Sequence, residues 1–221
     1  MNFYDKFFKR LLGFVLSILG LLIISPLFVV VAIVIKVDSR GKIFFTQERV
    51  GVRGEIFKIV KFRTMRRFED SFNRDGSQME NYSRVTKIGK LLRKTSIDEL
   101  PQLFNILVGH MSLVGPRPAL PYQVERYSEY QRRRLLVRPG ITGLAQVSGR
   151  NSLSWEEKIE LDIRYVNKVG LLKDILIIIK TFPVVFKADK QDFVQHDAIS
   201  AHKADVLSDV GMVDNKYDRS N

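Results

Sequence analysis

The longest apolar run in the chain covers residues 11–35, twenty-five positions without a charged side chain. As a helix rising about 1.5 Å per residue it would reach roughly 37 Å, more than the ~30 Å hydrocarbon core of a bilayer. Ser25 and Pro26 divide it. Proline removes a backbone donor and clashes with the preceding turn, so the pattern predicts segments 11–24 and 26–35, each too short to cross alone. Lys6, Lys9 and Arg10 precede the run, and Lys36, Arg40 and Lys42 follow it. Both ends therefore favour the cytoplasmic side. The expected arrangement for residues 1–36 is a re-entrant membrane anchor, helix-break-helix, with the carbonyls that Pro26 frees capped by Ser25 or by water-exposed groups nearby. A single-pass span is the alternative.

After residue 37 the periodicity shortens. Residues 42–62 alternate imperfectly around a GVRG turn and predict a β-hairpin that delivers Lys61 and Arg63 to a strand end, in KFRTM. Residues 66–84, rich in Arg, Asp, Asn and Ser, predict a surface loop placed to act as a lid. Helical spacing resumes at 86–93 and again at Leu100, Leu103, Phe104 and Leu107, an apolar face read as core. Residues 123–137 form a charged helix in which Arg132, Arg133 and Arg134 suit a solvated face or anionic headgroups. Ser154 with Glu157 signals a capping box, and Trp155, Ile159, Ile163 and Val166 recur behind it at packing spacing. Lys173, Lys180 and Lys187 then recur every seven residues across a very apolar segment. That pattern fits an interfacial amphipathic helix in the headgroup plane, or a buried core helix. The expected fold is α+β, mainly helical with a small β-hairpin. Residues 37–187 form the cytoplasmic domain, and 188–221 are expected to be a disordered acidic tail.

Charge sharpens this picture. The net charge is +12, but residues 188–221 hold seven Asp against four Lys or Arg, which leaves +15 on residues 1–187. Such a field attracts a phosphorylated substrate, nucleic acid or an anionic leaflet. The chain has no cysteine, and His110, His196 and His202 lack metal-ligand spacing. Thiolate zinc sites are excluded, and a metal here would be a hard ion held by carboxylate and phosphate oxygens.

The stretch with the most chemistry is residues 93–102, RKTSIDELPQ. Ser96 followed by Glu99 is a capping-box signature, and acids in a first helical turn complement the helix dipole without any catalytic role. The same position would also keep a nucleophilic Asp98 ionised beside groups that hold phosphate. Arg93 precedes the acids. Arg117, stiffened between Pro116 and Pro118, is placed for bidentate phosphate contact or for solvent. Arg138 and Thr142 flank a glycine-bearing loop, RPGITG, suited to close approach by a phosphate. Neither GxxxxGK[ST] nor a GxGxxG after a strand occurs, so a standard nucleotide fold is not expected.

KFRTM, SIDELPQL, VGPRP, RPGITGLAQVSGR and the apolar start with its Ser-Pro together resemble, in order and spacing, the bacterial sugar transferase family of monotopic phosphoglycosyl transferases. The resemblance covers residues 3–187 and corresponds to the family's minimal form, without extra N-terminal membrane helices. It implies a UDP-sugar donor, an N-acetylated amino sugar by closeness to the minimal group, a polyprenyl (undecaprenyl) phosphate acceptor, Mg²⁺, and a cytoplasmic-face location on the bacterial inner membrane. Carried over by position, Asp98 is the nucleophile and Glu99 its partner, through the metal or through positioning, with Asp98 and Glu99 the candidate metal contacts. It also implies re-entry at Ser25 and Pro26. A carboxylate attacking a diphosphate meets like charge, and Lys61, Arg63, Arg93, Arg117 and Arg138 are the cations expected to offset it. Two other readings account for part of the sequence. One is a membrane-tethered module binding anionic lipid or nucleic acid, although no nucleic-acid motif is recognisable. The other is a hydrolase working through an aspartyl phosphate.

Overall fold

The protein is described from a computed structural model that covers residues 3–70, 81–149 and 152–186. The acidic tail, Lys187 and residues 71–80 of the expected loop lie outside the described residues. A π-helical turn, Tyr4–Phe8, leads into α1, Lys9–Asp38. The helix runs through Pro26 unbroken, where the sequence predicts an interruption. Ser25 supplies the reason: its hydroxyl donates to the Leu22 carbonyl at 2.8 Å, the acceptor that the absent Pro26 N–H would have served.

Only 11% of the most apolar window of α1 is buried, which excludes an ordinary core helix. What it does bury lies toward its two ends, at Lys9, Gly13 and Ser17 and again at Val31 and Ile35. Near its start, Arg10 donates to the Ile106 and Leu107 carbonyls, and Gly13 faces the Ile106 side chain. Further on, Phe28 packs edge-on against Phe62 with ring centroids 5.0 Å apart. Near its end, Val31 and Ile35 join Phe62 and Leu92 in a buried cluster. The globular body therefore lies beside α1 rather than at one end of it.

The predicted hairpin forms. Strands β1, Phe44–Val50, and β2, Ile56–Phe62, pair antiparallel from Phe44 opposite Phe62 to Val50 opposite Ile56. The turn between them needs left-handed backbone at Arg53 and Gly54, with φ of 57° and 90°. A four-residue helix α2, Asn81–Arg84, precedes α3, Lys87–Lys94, whose N-cap Thr86 accepts from the Gly89 N–H. A 3₁₀ turn, Ile97–Glu99, connects α3 to α4, Gln102–Val108.

Helix α4 corrects one expectation. Phe104 is 43% exposed, while Asn105 and Ile106 face inward. Asn105 caps the open edge of β2, accepting from the Val60 N–H at 3.0 Å and donating to the Lys58 carbonyl at 2.7 Å. Unpaired edge groups in a buried position are costly, so the polar residue displaces the apolar one from the core side.

A second, parallel pair was not visible in the sequence: β3, Ser112–Val114, beside β4, Gly140–Thr142. Three-residue strands carry too little alternation to be read. Between them come α5, Pro121–Glu125, and α6, Glu129–Arg132, and after them α7, Leu144–Ser148. The capping box at Ser154 and Glu157 forms and opens α8, Trp155–Asn167, whose Ile159 and Ile163 are buried with Val50, Ala119, Val124 and Tyr127. Full burial of each such aliphatic side chain contributes roughly 1.5–3 kcal/mol. The last helix, α9, Leu171–Phe186, buries Asp174 and Ile177 but exposes Leu172, Leu176, Ile179 and Phe182. A buried core helix would not show that face.

Candidate active site

The 3₁₀ turn carrying the acidic pair exists because neither neighbouring helix can extend through it. Thr95 turns its hydroxyl back onto the Leu91 carbonyl at 2.9 Å, closing α3, and Pro101 has no N–H with which to begin α4 one turn earlier. Ser96 takes up a left-handed conformation, φ 56°, and makes no side-chain cap. The expected capping box is absent there because the Glu99 carboxylate points elsewhere.

It points to two cations. Lys61 Nζ, from the end of β2, and Arg117 Nη2, from the segment after β3, each lie 2.7 Å from the same oxygen, Glu99 Oε1. Lys61 and Glu99 are half-buried, whereas Arg117 reaches in from a more open side. Both cations end on Glu99 rather than on Asp98. Asp98 itself is buried.

This asymmetry separates the two acids. Burial, then the neighbouring Glu99 charge, pushes Asp98 up to about 6, against the opposing pull of Lys61, Arg93 and Arg117. Burial would raise Glu99 as well, but Arg117 and Lys61 outweigh it and hold Glu99 well below the usual carboxylate range. Lys61 is drawn down by burial in spite of Glu99, and Arg117 is raised by it. Glu99 is thus a fixed anion that gathers cations, and Asp98 is a more basic carboxylate free of direct ion pairs among the described salt bridges. Paired acids driven apart in this way divide the labour of a reaction.

The other residues picked out in the sequence divide between this centre and structural posts. Arg93 donates to the Thr64 hydroxyl at 2.9 Å and contributes to the field at Asp98, so it belongs to the centre. Arg63 instead donates to the Ser39 and Arg40 carbonyls and closes the C-terminal end of α1. Arg138 donates to the Gly109 carbonyl at 3.0 Å, at the end of α4 away from the acids. Thr142 pairs with the Thr181 hydroxyl of α9 at 2.7 Å. The glycines around it serve strand contact: a Cβ on Gly140 would meet the Val114 carbonyl carbon and the Gly115 nitrogen just past β3, so the space expected for a phosphate holds the chain's own backbone.

Sequence reasoning passed over Arg49 and Arg134. Arg49 sits on β1 at an alternating, half-buried position, and burial, then the Arg117 charge, pulls it down to about 10. Its only sequence signal was a cation at an inward-facing strand position. Arg134, read with its neighbours as surface charge, is buried against Asp162 at 2.5 Å. A run of three arginines gives no sign of which one turns inward.

Comparison with known proteins places the chain in a family. The family described as bacterial sugar transferase matches residues 4–188, which include every residue of the centre. The chain is 40% identical over 191 residues to the exopolysaccharide production protein ExoY of Sinorhizobium fredii, covering 80% of this chain and 84% of that one. It is 38% identical over 204 residues to an undecaprenyl-phosphate galactose phosphotransferase of Salmonella typhimurium, covering 84% of this chain and 42% of the relative. It is 40% identical over 195 residues to a UDP-glucose:undecaprenyl-phosphate glucose-1-phosphate transferase of Klebsiella pneumoniae, covering 85% of this chain and 41% of the relative. The chain thus spans most of ExoY and less than half of the two larger transferases. It belongs to the bacterial sugar transferase family.

Proposed function

We propose that the chain transfers a sugar 1-phosphate from a UDP-sugar to polyprenyl phosphate, as the names of the Salmonella and Klebsiella relatives describe for galactose and glucose. The observation that carries the mechanism is the split between the two acids. Asp98, ionised above about pH 6 and free of the cations that hold Glu99, attacks the sugar-bearing phosphorus of the donor. A bond forms from its carboxylate oxygen to phosphorus, the bond to the bridging oxygen breaks, and UMP leaves. An oxygen of the polyprenyl phosphate then attacks the same phosphorus, restoring the Asp98 carboxylate and giving a polyprenyl diphosphosugar. Lys61 and Arg117, held by Glu99, face the charge that develops on the phosphoryl oxygens.

Magnesium fits this donor set as a substrate-assisted ion. Among the described residues there is no cluster of three or more metal-binding side chains, and Mg²⁺ commonly takes one or two carboxylates with the rest from phosphates and water. Asp98 and Glu99 would hold it, with Oε2 as the Glu99 oxygen outside the pairs with Lys61 and Arg117. When bound it would neutralise charge on the diphosphate.

The topology we propose is re-entry from the cytoplasmic face, supported by contacts of the body with both ends of α1 and by the exposed apolar face of α9. This sets Asp98 near headgroup height, where a lipid phosphate lies. The test is incubation of the purified, detergent-held protein with Mg²⁺ and single UDP-sugars, without polyprenol. The panel sets N-acetylated amino sugars, the donor expected from the sequence, against UDP-glucose and UDP-galactose. UMP release with a phosphosugar adduct on the Asp98 peptide, lost in Asp98→Asn, is the expected result. UMP that appears only with polyprenyl phosphate, and no adduct, replaces the two-step scheme with direct transfer.

A further inference from the structure

The segment that presents Arg117 has an unusual backbone problem. Pro116 and Pro118 have no N–H, so this stretch cannot hold its place through a ladder of its own. Its three successive carbonyls are each held from outside. The Gly140 N–H donates to the Pro116 carbonyl at 2.9 Å. Arg134 Nη2 donates to the Arg117 carbonyl at 2.9 Å, and Arg49 Nη1 donates to the Pro118 carbonyl at 3.1 Å.

Both arginines are themselves fixed. Arg134 is 6% exposed, paired with the Asp162 carboxylate of α8 and donating to the Tyr127 hydroxyl. Arg49 is braced by the Gln47 side chain at 2.7 Å. A guanidinium offers a rigid planar fork of donors. Arg49 gives one terminal nitrogen to Gln47 and the other to the Pro118 carbonyl, while Arg134 Nη2 serves both Asp162 and the Arg117 carbonyl and Nη1 goes to Tyr127. Placing one in the interior, with Asp162 drawn in as its partner, costs desolvation that simple packing would avoid. The position of that cost, directly behind the residue that meets Glu99, points to the site.

We infer that Arg134, backed by Asp162, and Arg49 form a clamp on the carbonyls of residues 117 and 118 and are positioning residues that aim Arg117 at Glu99. The inference rests on the transferase reading for its effect on rate, but not for its effect on Arg117 itself. A displacement of about 1 Å in a group that organises reacting phosphates can cost roughly 100-fold. Neither clamp residue need touch substrate.

The test uses the full chain in detergent, with two readouts. The first is the rate at which phenylglyoxal modifies Arg117, followed by peptide mass spectrometry in the wild type, Arg134→Lys and Arg49→Lys. The ion pair with Glu99 shields Arg117, and the clamp variants should be modified several-fold faster, measured at a temperature at which each variant is fully folded. Unchanged labelling in both variants would overturn the inference whatever reaction the protein catalyses. The second is a double-mutant cycle on UMP release. Arg134→Lys should lower kcat roughly 10- to 100-fold with donor KM changed little, and should cost nothing further in an Arg117→Ala background. Losses that multiply would show that Arg134 acts independently of Arg117. If Arg134→Lys does not fold, Asp162→Asn, which leaves the arginine in place, is carried through both readouts with the same expected and overturning results. A wild type that releases no UMP defeats the transferase reading alone, since the labelling result still decides the clamp.

Discussion

Arg117 Nη2 lies 2.7 Å from Glu99 Oε1, the oxygen that also receives Lys61. One carboxylate oxygen therefore fixes two cations from two separate segments, and the adjacent Asp98 is left with a raised proton affinity. Glu99→Gln removes the anion that gathers them. Transferase activity should fall about 100-fold, the scale of losing one preorganised electrostatic group. Asp98 would also lose its like-charged neighbour, so the acid limb of the rate profile should move below its wild-type position. Adduct formation measured from pH 5 to pH 8 in both proteins checks this, and an unmoved limb would remove Glu99 from the account of Asp98.

In the wild type, Asp98 must be ionised to attack. The rate of the first half-reaction should therefore fall as pH drops through about 6. Stability has the opposite sign. The folded protein binds this proton more tightly than the unfolded chain, whose carboxyl titrates near 3.8, so stability falls as pH rises between those values and levels off above. The difference between those two values corresponds to at most ~3 kcal/mol. Asp98→Asn should accordingly abolish the adduct while raising the melting midpoint at pH 7.5, by the equivalent of about 1–3 kcal/mol. A variant that is inactive and less stable would show that the charge supports the fold.

The sequence displayed those features whose signals are local. The hairpin was legible from its GVRG turn, α8 from Ser154 and Glu157, and the acidic pair from its adjacent charges. The posts of individual cations were not. Arg63 and Arg138 have the same composition-level signature as Lys61 and Arg117, yet they close helix ends, because a helix C-terminus attracts a guanidinium much as a phosphate does. Ser96 shows a related limit. The S-x-x-E pattern was present, but two nearby cations compete for Glu99 more strongly than one backbone N–H.

Asn105 tests how α4 is attached to the hairpin. Its side chain serves the Val60 N–H and the Lys58 carbonyl, two edge groups of β2, the strand that also carries Lys61. Asn105→Leu leaves both without their partner. Since each unsatisfied buried polar group costs about 1–3 kcal/mol, the variant should lose roughly 2–4 kcal/mol of stability, seen as a lower denaturation midpoint. Asn105→Asp keeps the acceptor but sets a buried carboxylate against the Lys58 carbonyl, so at neutral pH it should be at least as destabilising as Asn105→Leu and should recover as the pH falls. Equal stability of all three would mean that water replaces the side chain at this edge.

Re-entry of α1 makes a prediction that a span cannot share. The Leu22 carbonyl is already served by Ser25, so the helix tolerates Pro26 without leaving that acceptor open in a lipid environment. Arg10 holds the end of α4, while Ile35, near the other end of α1, is buried beside Leu92 of α3. A spanning helix would put one of these contacts across the bilayer from the body. Single cysteines replacing Phe3 and Arg40 in this cysteine-free chain should therefore both react with a membrane-impermeant maleimide from the cytoplasmic side of inverted vesicles, and neither from the opposite side of intact spheroplasts. Labelling of the two positions from opposite faces would establish a span, and the contacts at one end of α1 would then have to be given up.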